Sequence, residues 1–311
     1  MAAFGAERRS VNRPSSNSQE RDRRRADEPP ARRFPRRRAV LLVLPALVPA
    51  GALGVATLAS AVSTSLGLTP LVGPARPSLD AWRFPADELW TAAGLSVAIA
   101  AAATAVGAVV GLAAALVITG RRRSGHLLAM LSSLTIPVPH LVGAAAVGLL
   151  LADAGFLPRL LGIEPGDWPP LVGGPWWIAV VAEYAWKESA FIALVVSSAL
   201  ASRVSSYLAT ATLLGAGRWA RLRFVTLPLA APALVASASI SFVYVLGSYE
   251  VAWLLGRPYP EPLPVMAFRL FTSIDLAARP QAAAVAVTTA ALALAAVAVA
   301  AVALRRTEGW R

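Results

Sequence analysis

Glu183, Lys187 and Glu188 stand within six positions of one another in a stretch that is otherwise apolar, Trp177–Leu200. Ionisable groups in such a setting are expensive and turn toward protein or water. Glu183 and Lys187 are spaced i,i+4, so they are expected to pair along their own helix as a structural ion pair. The functional alternative is a polar patch on a solute path. Ser237, Ser241, Tyr244 and Ser248 follow at steps of four, three and four, which puts them on one helix face. Hydroxyls at that spacing serve as packing glue between helices or line a path. Glu250 falls nearly opposite that stripe and reaches it only if Gly247 ends or bends the helix. His126 and His140 are isolated, and no His/Asp/Glu cluster has metal-ligand spacing. His140, in Pro137-Val138-Pro139-His140, is expected to fill a break between helix halves. There is no cysteine and no Gly-x4-Gly-Lys-Ser/Thr phosphate loop. No catalytic or metal-binding residue is expected, and the chain is not read as an enzyme.

These residues must be carried by membrane helices. Of 311 residues 57% are apolar and 15% charged, and mean hydropathy is +0.60; a soluble domain carries nearer a quarter charged residues. About 20 apolar residues at 1.5 Å each cross a hydrocarbon core of about 30 Å. Six such spans are expected, at Val40–Leu66, Thr91–Thr119, Leu127–Leu151, Trp177–Leu200, Leu229–Leu255 and Ala282–Leu304. The fold class is therefore all-α, a polytopic helical membrane protein.

The net charge of +12 does not point to nucleic acid, because twelve Arg fall within residues 1–38, a Pro- and Ser-rich stretch with five acids. That composition predicts a disordered basic tail that fixes topology, with anionic lipid head groups as the functional alternative. The apolar stretch that follows is too long for a cleaved signal peptide and has no clear cleavage site. Outside the tail, one alternating set of connections and the chain end hold ten Arg against one acid, Glu308. The other three loops, 67–90, 152–176 and 256–281, hold six Arg against eight acids. Positive-inside bias places both termini in the cytoplasm. The exterior loops are rich in Pro, Gly and Trp, and Trp90, Trp168, Trp176, Trp177 and Trp253 are expected in the outer aromatic belt. Pro45, Pro49, Pro137 and Pro139 lie inside spans, where neighbouring helices can satisfy the freed carbonyls.

One connection is ordered by its own residues: Thr210–Pro228, TATLLGAGRWARLRFVTLP. Ser205 or Ser206 is expected to cap a short helix through about Leu214, ended by a left-handed Gly215. Gly217–Phe224 then makes a second helical stretch bearing Arg218, Trp219, Arg221 and Arg223. Pro228 opens the next span at a tolerated first-turn position. A helix-Gly-helix element of this kind can serve as a lever.

The spacing from Gly215 through Val225 to Leu227-Pro228 resembles the cytoplasmic coupling loop of importer-type ATP-binding-cassette permeases. Their pattern is Glu-Ala-Ala, three residues, Gly, nine residues, Ile/Val, one residue, Leu-Pro. Ala209 stands where the family has Glu, Thr210 and Ala211 where it has the two Ala. Ala209 cannot make the hydrogen bonds attributed to that Glu, so rigidity must come from elsewhere. Weaker likenesses at Pro45, Gly94-Leu95-Ser96, Ile136-Pro137 and Trp186-Lys187 extend the resemblance over residues 40–305. Gly247–Gly256, followed by Arg257-Pro258-Tyr259-Pro260, is similar to the polyamine, sulfate, ferric-iron and thiamine branch.

The resemblance implies a permease domain over residues 39–311 with a coupling loop at 203–228. It also implies cassette ATPase subunits that bind the ATP, this chain holding no cofactor. Further implied partners are a second permease subunit, expected to be a different chain, and an extracytoplasmic solute-binding protein. The setting is the bacterial cytoplasmic (inner) membrane. The acids Glu183, Glu250 and Glu261 suit a polyamine or another small charged solute, with a sugar-importer permease as the alternative. A secondary transporter without an ATPase would be marked by charged clusters inside the membrane or broken-helix repeats, and neither stands out in the sequence. A structural membrane protein would leave the loop without a role.

Overall fold

The computed structural model describes residues 36–85, 87–120, 123–201 and 204–308. The expected tail lies outside them apart from its last three residues, Arg36–Arg38, which open the first helix. Arg121, Arg122, Arg203 and Arg311 lie outside them as well. The chain divides into two units, Met1–Val55 and Ala56–Arg311. Helix α1 (Arg36–Ser65), with Pro45 and Pro49 inside it, runs through the boundary. Everything below belongs to the second unit.

The described residues form helices and turns and no strand. After α1 come α2 (Glu88–Thr119), α3 (Arg123–Thr135), α4 (His140–Leu151) and α5 (Phe156–Leu161). They are followed by α6 (Ile178–Ala201), α7 (Val204–Leu213), the single turn α8 (Arg218–Arg221), a π-helical stretch Leu222–Thr226 and α9 (Leu227–Gly247). Short helices α10 (Glu250–Leu255) and α11 (Leu263–Phe271) lead to α12 (Arg279–Glu308). Five helical stretches are long and apolar enough to cross a membrane, and six if α6 and α7, bent by 61°, count as one. α6 carries Glu183, Lys187 and Glu188 within its otherwise apolar run. This is a polytopic all-helical membrane protein.

The expected spans hold in type and differ in two places. The third is not one helix from Leu127 to Leu151: it breaks between Thr135 and His140, the break expected at Pro137-Val138-Pro139-His140, where the two prolines supply no N–H. The fifth stops at Gly247 rather than Leu255, with Ser248 extended (φ −86°, ψ 133°). The chain turns there into α10, so Glu250 opens a new helix.

α2 and α6 form the central pair of the unit, joined by small residues. Ala103, Gly107, Gly111 and Ala115 recur every four residues along α2 and make one narrow face. A Cβ on Gly111 would sit 2.8 Å from both the Ser189 carbonyl oxygen and Ile192 Cβ, so only glycine allows this approach. Close backbones replace the hydrophobic drive that lipid cannot give, since lipid tails are as apolar as the side chains. The core follows this seam. Ala115, Ile192, Val196 and Leu200 pack at one end, Ile99, Ala100, Tyr184 and Leu246 in the middle, and Leu89, Ala92, Leu263 and Met266 at the other. α9 lies against α2, α6 and α12, while α3 and α4 cover α6.

The 256–281 connection holds more than turns. α11 buries Leu263, Met266 and Leu270 against α12 and α2. Ser96 accepts the Leu263 N–H at 2.8 Å. Arg269 adds an ionic staple, 2.5 Å from Glu261 and 3.3 Å from Glu88. Its bond to Glu261 raises the guanidinium further above its ordinary value. A cation stabilised in this way is lost only as pH rises through the raised value, so the staple holds at all ordinary pH. Of the five tryptophans expected in the belt, Trp90, Trp176 and Trp253 are exposed and Trp168 donates to the Leu151 carbonyl at 2.9 Å. Trp177 is a correction: it is buried in the middle cluster at 5% exposure. It packs so tightly on Gly256 that a Cβ there would come within 2.2 Å of its ring.

Candidate functional site

Two arrangements bring sequence-singled residues together. The first sits at the break in the third span. The helix ends at Thr135, whose carbonyl takes only a long turn bond from the Val138 N–H at 3.3 Å. Lys187 reaches across from α6 and donates to the Thr135 carbonyl at 2.8 Å and to that of Val138. A cation at the C-terminal carbonyls of a helix is favoured by the peptide dipoles as well as by the hydrogen bonds. The expected Glu183–Lys187 pair is therefore not formed: among the described residues neither carboxylate lies within ion-pair distance of the ammonium. The freed backbone of the break outcompetes a partner on the same helix.

Both carboxylates instead face His140, the first residue of α4. Its Nδ1 lies 3.3 Å from each Glu183 oxygen, and its Nε2 lies 3.8 Å from Glu188 Oε1. Ser241 comes in from α9 and donates to Glu188 Oε2. The His140 ring also sits 4.9 Å from that of Tyr244 and 5.8 Å from that of Tyr184. Tyr184 donates to the Ser248 carbonyl at 3.4 Å. Glu183, Lys187 and Glu188 are all less than a tenth exposed. Space for Glu183 depends on Gly143, where a Cβ would come within 2.7 Å of Oε1. Four helices, α3, α4, α6 and α9, thus meet in one buried polar junction.

Of the residues expected on a path, Glu183, Lys187, Ser241 and Tyr244 meet here, and Ser248 joins through its backbone. Ser237 does not: it is buried and donates to the carbonyls of Ala233 and Leu234 on its own helix, which is the packing role. Glu250 is half-buried and forms no ion pair among the described residues. His140, Glu188 and Gly143 were absent from the expected path. His140 carried a signal, since a residue just after a Pro-x-Pro break heads a half-helix, but nothing local said which span it would face.

The second arrangement is the loop. α7 ends at Gly215 with φ +80°. The Ala216 N–H reaches the Ala211 carbonyl at 2.9 Å and the Gly215 N–H the Thr212 carbonyl at 3.0 Å, the paired bonds of a Schellman ending. Ser205 and Ser206 do not cap this helix; they lie inside its first turn. Thr212 accepts a hydrogen bond from Arg221 at 2.9 Å. That bond ties the two limbs and stiffens a loop that Ala209 leaves without its carboxylate. Pro228 stands in the first turn of α9, as expected, although the path is already helical from Arg218. Its missing N–H and ring are accommodated by the wider turn ahead of it, where the Leu227 N–H reaches back five residues to Leu222. Ala209, Thr210, Arg218 and Arg223 are exposed, as are Leu213 at 88%, Leu214 at 82% and Trp219 at 71%. These large apolar side chains form an uncovered patch on a charged loop, the kind of surface that meets a protein or a membrane.

The sequence model of the family described as "Binding-protein-dependent transport system inner membrane component" matches residues 107–308. The putrescine transport system permease protein PotI of Escherichia coli (strain K12) is 28% identical over 202 residues, 64% of this chain and 67% of its own. The trehalose/maltose transport system permease protein MalF of Thermococcus litoralis is 22% identical over 176 residues, 55% of this chain and 59% of its own. Among solved structures, a permease chain of a bacterial alginate ABC transporter, in complex with an alginate pentasaccharide-bound periplasmic protein, superposes with a TM-score of 0.63. That match covers 85% of this chain and 93% of the other at 19% identity, and it speaks to the fold.

Proposed function

This chain belongs to the binding-protein-dependent transport system inner membrane components, the permeases of ATP-binding-cassette importers with the type I fold, and on that footing we propose that it lines a solute pathway and is driven through the 204–228 loop by a separate ATPase subunit. The observation that carries the reading is the loop itself: two limbs locked by a Schellman turn and the Arg221–Thr212 bond, presenting Leu213, Leu214 and Trp219 uncovered. A stiff projection with an apolar face transmits force; a floppy one absorbs it. ATP is hydrolysed on the partner subunits, a second permease completes the pathway, and a solute-binding protein delivers cargo on the side opposite the loop. Both termini and the loop lie in the cytoplasm, as the arginine distribution favours.

The polar junction is the part of the wall that cargo passes. A secondary transporter would be marked by charged clusters inside the membrane or broken-helix repeats; a charged cluster is present, yet the family match spans 107–308, loop included, so the cluster does not separate the two mechanisms. For the solute, the buried acids and the likeness to a putrescine permease favour a cationic cargo over the sugar that the MalF likeness suggests. In the test, Gly215→Val and Trp219→Ala chains are expressed with a cognate cassette ATPase. Both are expected in the membrane at normal amounts, with the ATPase no longer co-purifying or with hydrolysis uncoupled from uptake. Undiminished uptake in both variants would refute the lever.

A further inference from the structure

Glu183 and Glu188 bring two carboxylates to a junction whose one permanent cation, Lys187, donates to the backbone of the break instead of to either of them. Glu188 Oε2 is satisfied by Ser241. Glu183 Oε1 is buried and has no hydrogen-bond partner among the described residues. It lies 3.3 Å from His140 Nδ1, but a ring nitrogen has at most one hydrogen to give, and that one is aligned on Oε2. A carboxylate oxygen removed from water without a donor forfeits free energy that any incoming donor would recover. The carboxylates are buried, and the partly exposed edge of the junction is formed by His140, whose side chain is 16% exposed, and Tyr244, which is 43% exposed. A tyrosine face at that edge attracts positive charge.

We propose that this junction is a subsite for a primary alkylammonium group of the passing solute, a reading that rests on the chain being an importer permease. Glu183 Oε1 accepts one N–H, Glu188 Oε1 is the nearest second acceptor, and the Tyr244 ring covers the charge. The three donors of a primary ammonium suit two separated carboxylates and a hydroxyl, which a bare alkali ion or a quaternary ammonium does not reproduce. Binding is weak, on the order of 1 mM, because a pathway that holds its cargo tightly stalls.

The test uses the purified full-length chain in lipid nanodiscs, with 1,4-diaminobutane as probe. Tetramethylammonium, sodium chloride at matched ionic strength, and maltose serve as comparisons. Binding is read by calorimetry and by the shift in Tm. Saturable stabilisation by the diamine alone is expected, and Glu183→Gln should weaken it by about tenfold, the loss typical of one hydrogen bond to a charged group. Glu188→Gln, separately checked for a monodisperse elution profile, guards against misfolding of the first variant and should also weaken binding. No saturable diamine effect in the unaltered chain would overturn the proposal, as would an equal effect from tetramethylammonium, or full binding in both folded variants. The measurement involves no ATPase and no uptake, so its failure would leave the importer reading standing, and a failed lever test would leave its result standing.

Discussion

Lys187 shows how a single side chain decides between two readings of the same sequence. An i,i+4 partner on its own helix competes with carbonyls that a broken neighbour exposes, and the carbonyls prevail in an apolar interior, where the Thr135 carbonyl otherwise has only a long turn bond from Val138 at 3.3 Å. Lys187→Met removes the donor to Thr135 and Val138 and leaves two carboxylates with no cation. A loss of about 1–3 kcal/mol is expected, read as a lowered Tm of the detergent-solubilised chain. Adding Glu183→Gln to Lys187→Met should recover part of the loss, since one uncompensated charge goes with it. An unchanged Tm in the single variant would show that the break is satisfied in another way.

At the scale of elements, packing rests on the narrow face of α2. Gly111→Ala places a methyl group 2.8 Å from a backbone oxygen of α6, where no rotamer can relieve it. A cost of about 1–3 kcal/mol is expected. Gly94→Ala in the same helix meets nothing within 4 Å and is expected to be neutral or slightly stabilising. Thermal unfolding of the two variants side by side checks the seam, and equal behaviour would refute it. The loop makes a second element-scale prediction. Thr212→Val deletes the acceptor for Arg221 while Gly215 and its turn remain. The limbs should part more often, so trypsin should cleave at Arg218 and Arg221 several-fold faster, the range expected for about 1 kcal/mol of lost restraint. Protease resistance equal to that of the unaltered chain would mean that the turn alone holds the loop.

For the whole molecule, the remaining expectation is orientation. Reporter fusions after Arg123, Gly215 and Arg311 should give cytoplasmic signals, and fusions near Asp80, Glu164 and Glu261 exterior ones. A cytoplasmic signal at Glu261 would break the alternation that six crossings require. The same experiment bears on Arg269, whose staple joins α11 to the start of α2 on the face assigned to the exterior. This pair is half-exposed, so high salt should loosen it while a pH change across the ordinary range should not. Faster hydrogen exchange over Leu263–Phe271 in high salt would report that release.

The helices, their apolarity and the helix-Gly-helix loop were legible in the sequence, because each follows from neighbours along the chain. Apolar run length sets a span, Pro137 and Pro139 mark a break, and Gly215 can only be a left-handed stop. Gly247 was legible as a conditional bend and proved to be one. The tertiary structure alone decided who faces whom. His140 lies 43 residues from Glu183, and Ser241 lies 53 from Glu188. No periodicity within one helix encodes such a meeting. Trp177 reads as a belt residue by composition and is buried because Gly256, on a distant loop, leaves room for its ring. The stripe Ser237, Ser241, Tyr244 and Ser248 is one face in sequence, yet only its central members reach the junction. The reason is physical: local order is written in backbone dihedrals and hydrophobic period, whereas a buried polar site forms where several helices bring unsatisfied groups within 3–4 Å, and that distance is set by packing.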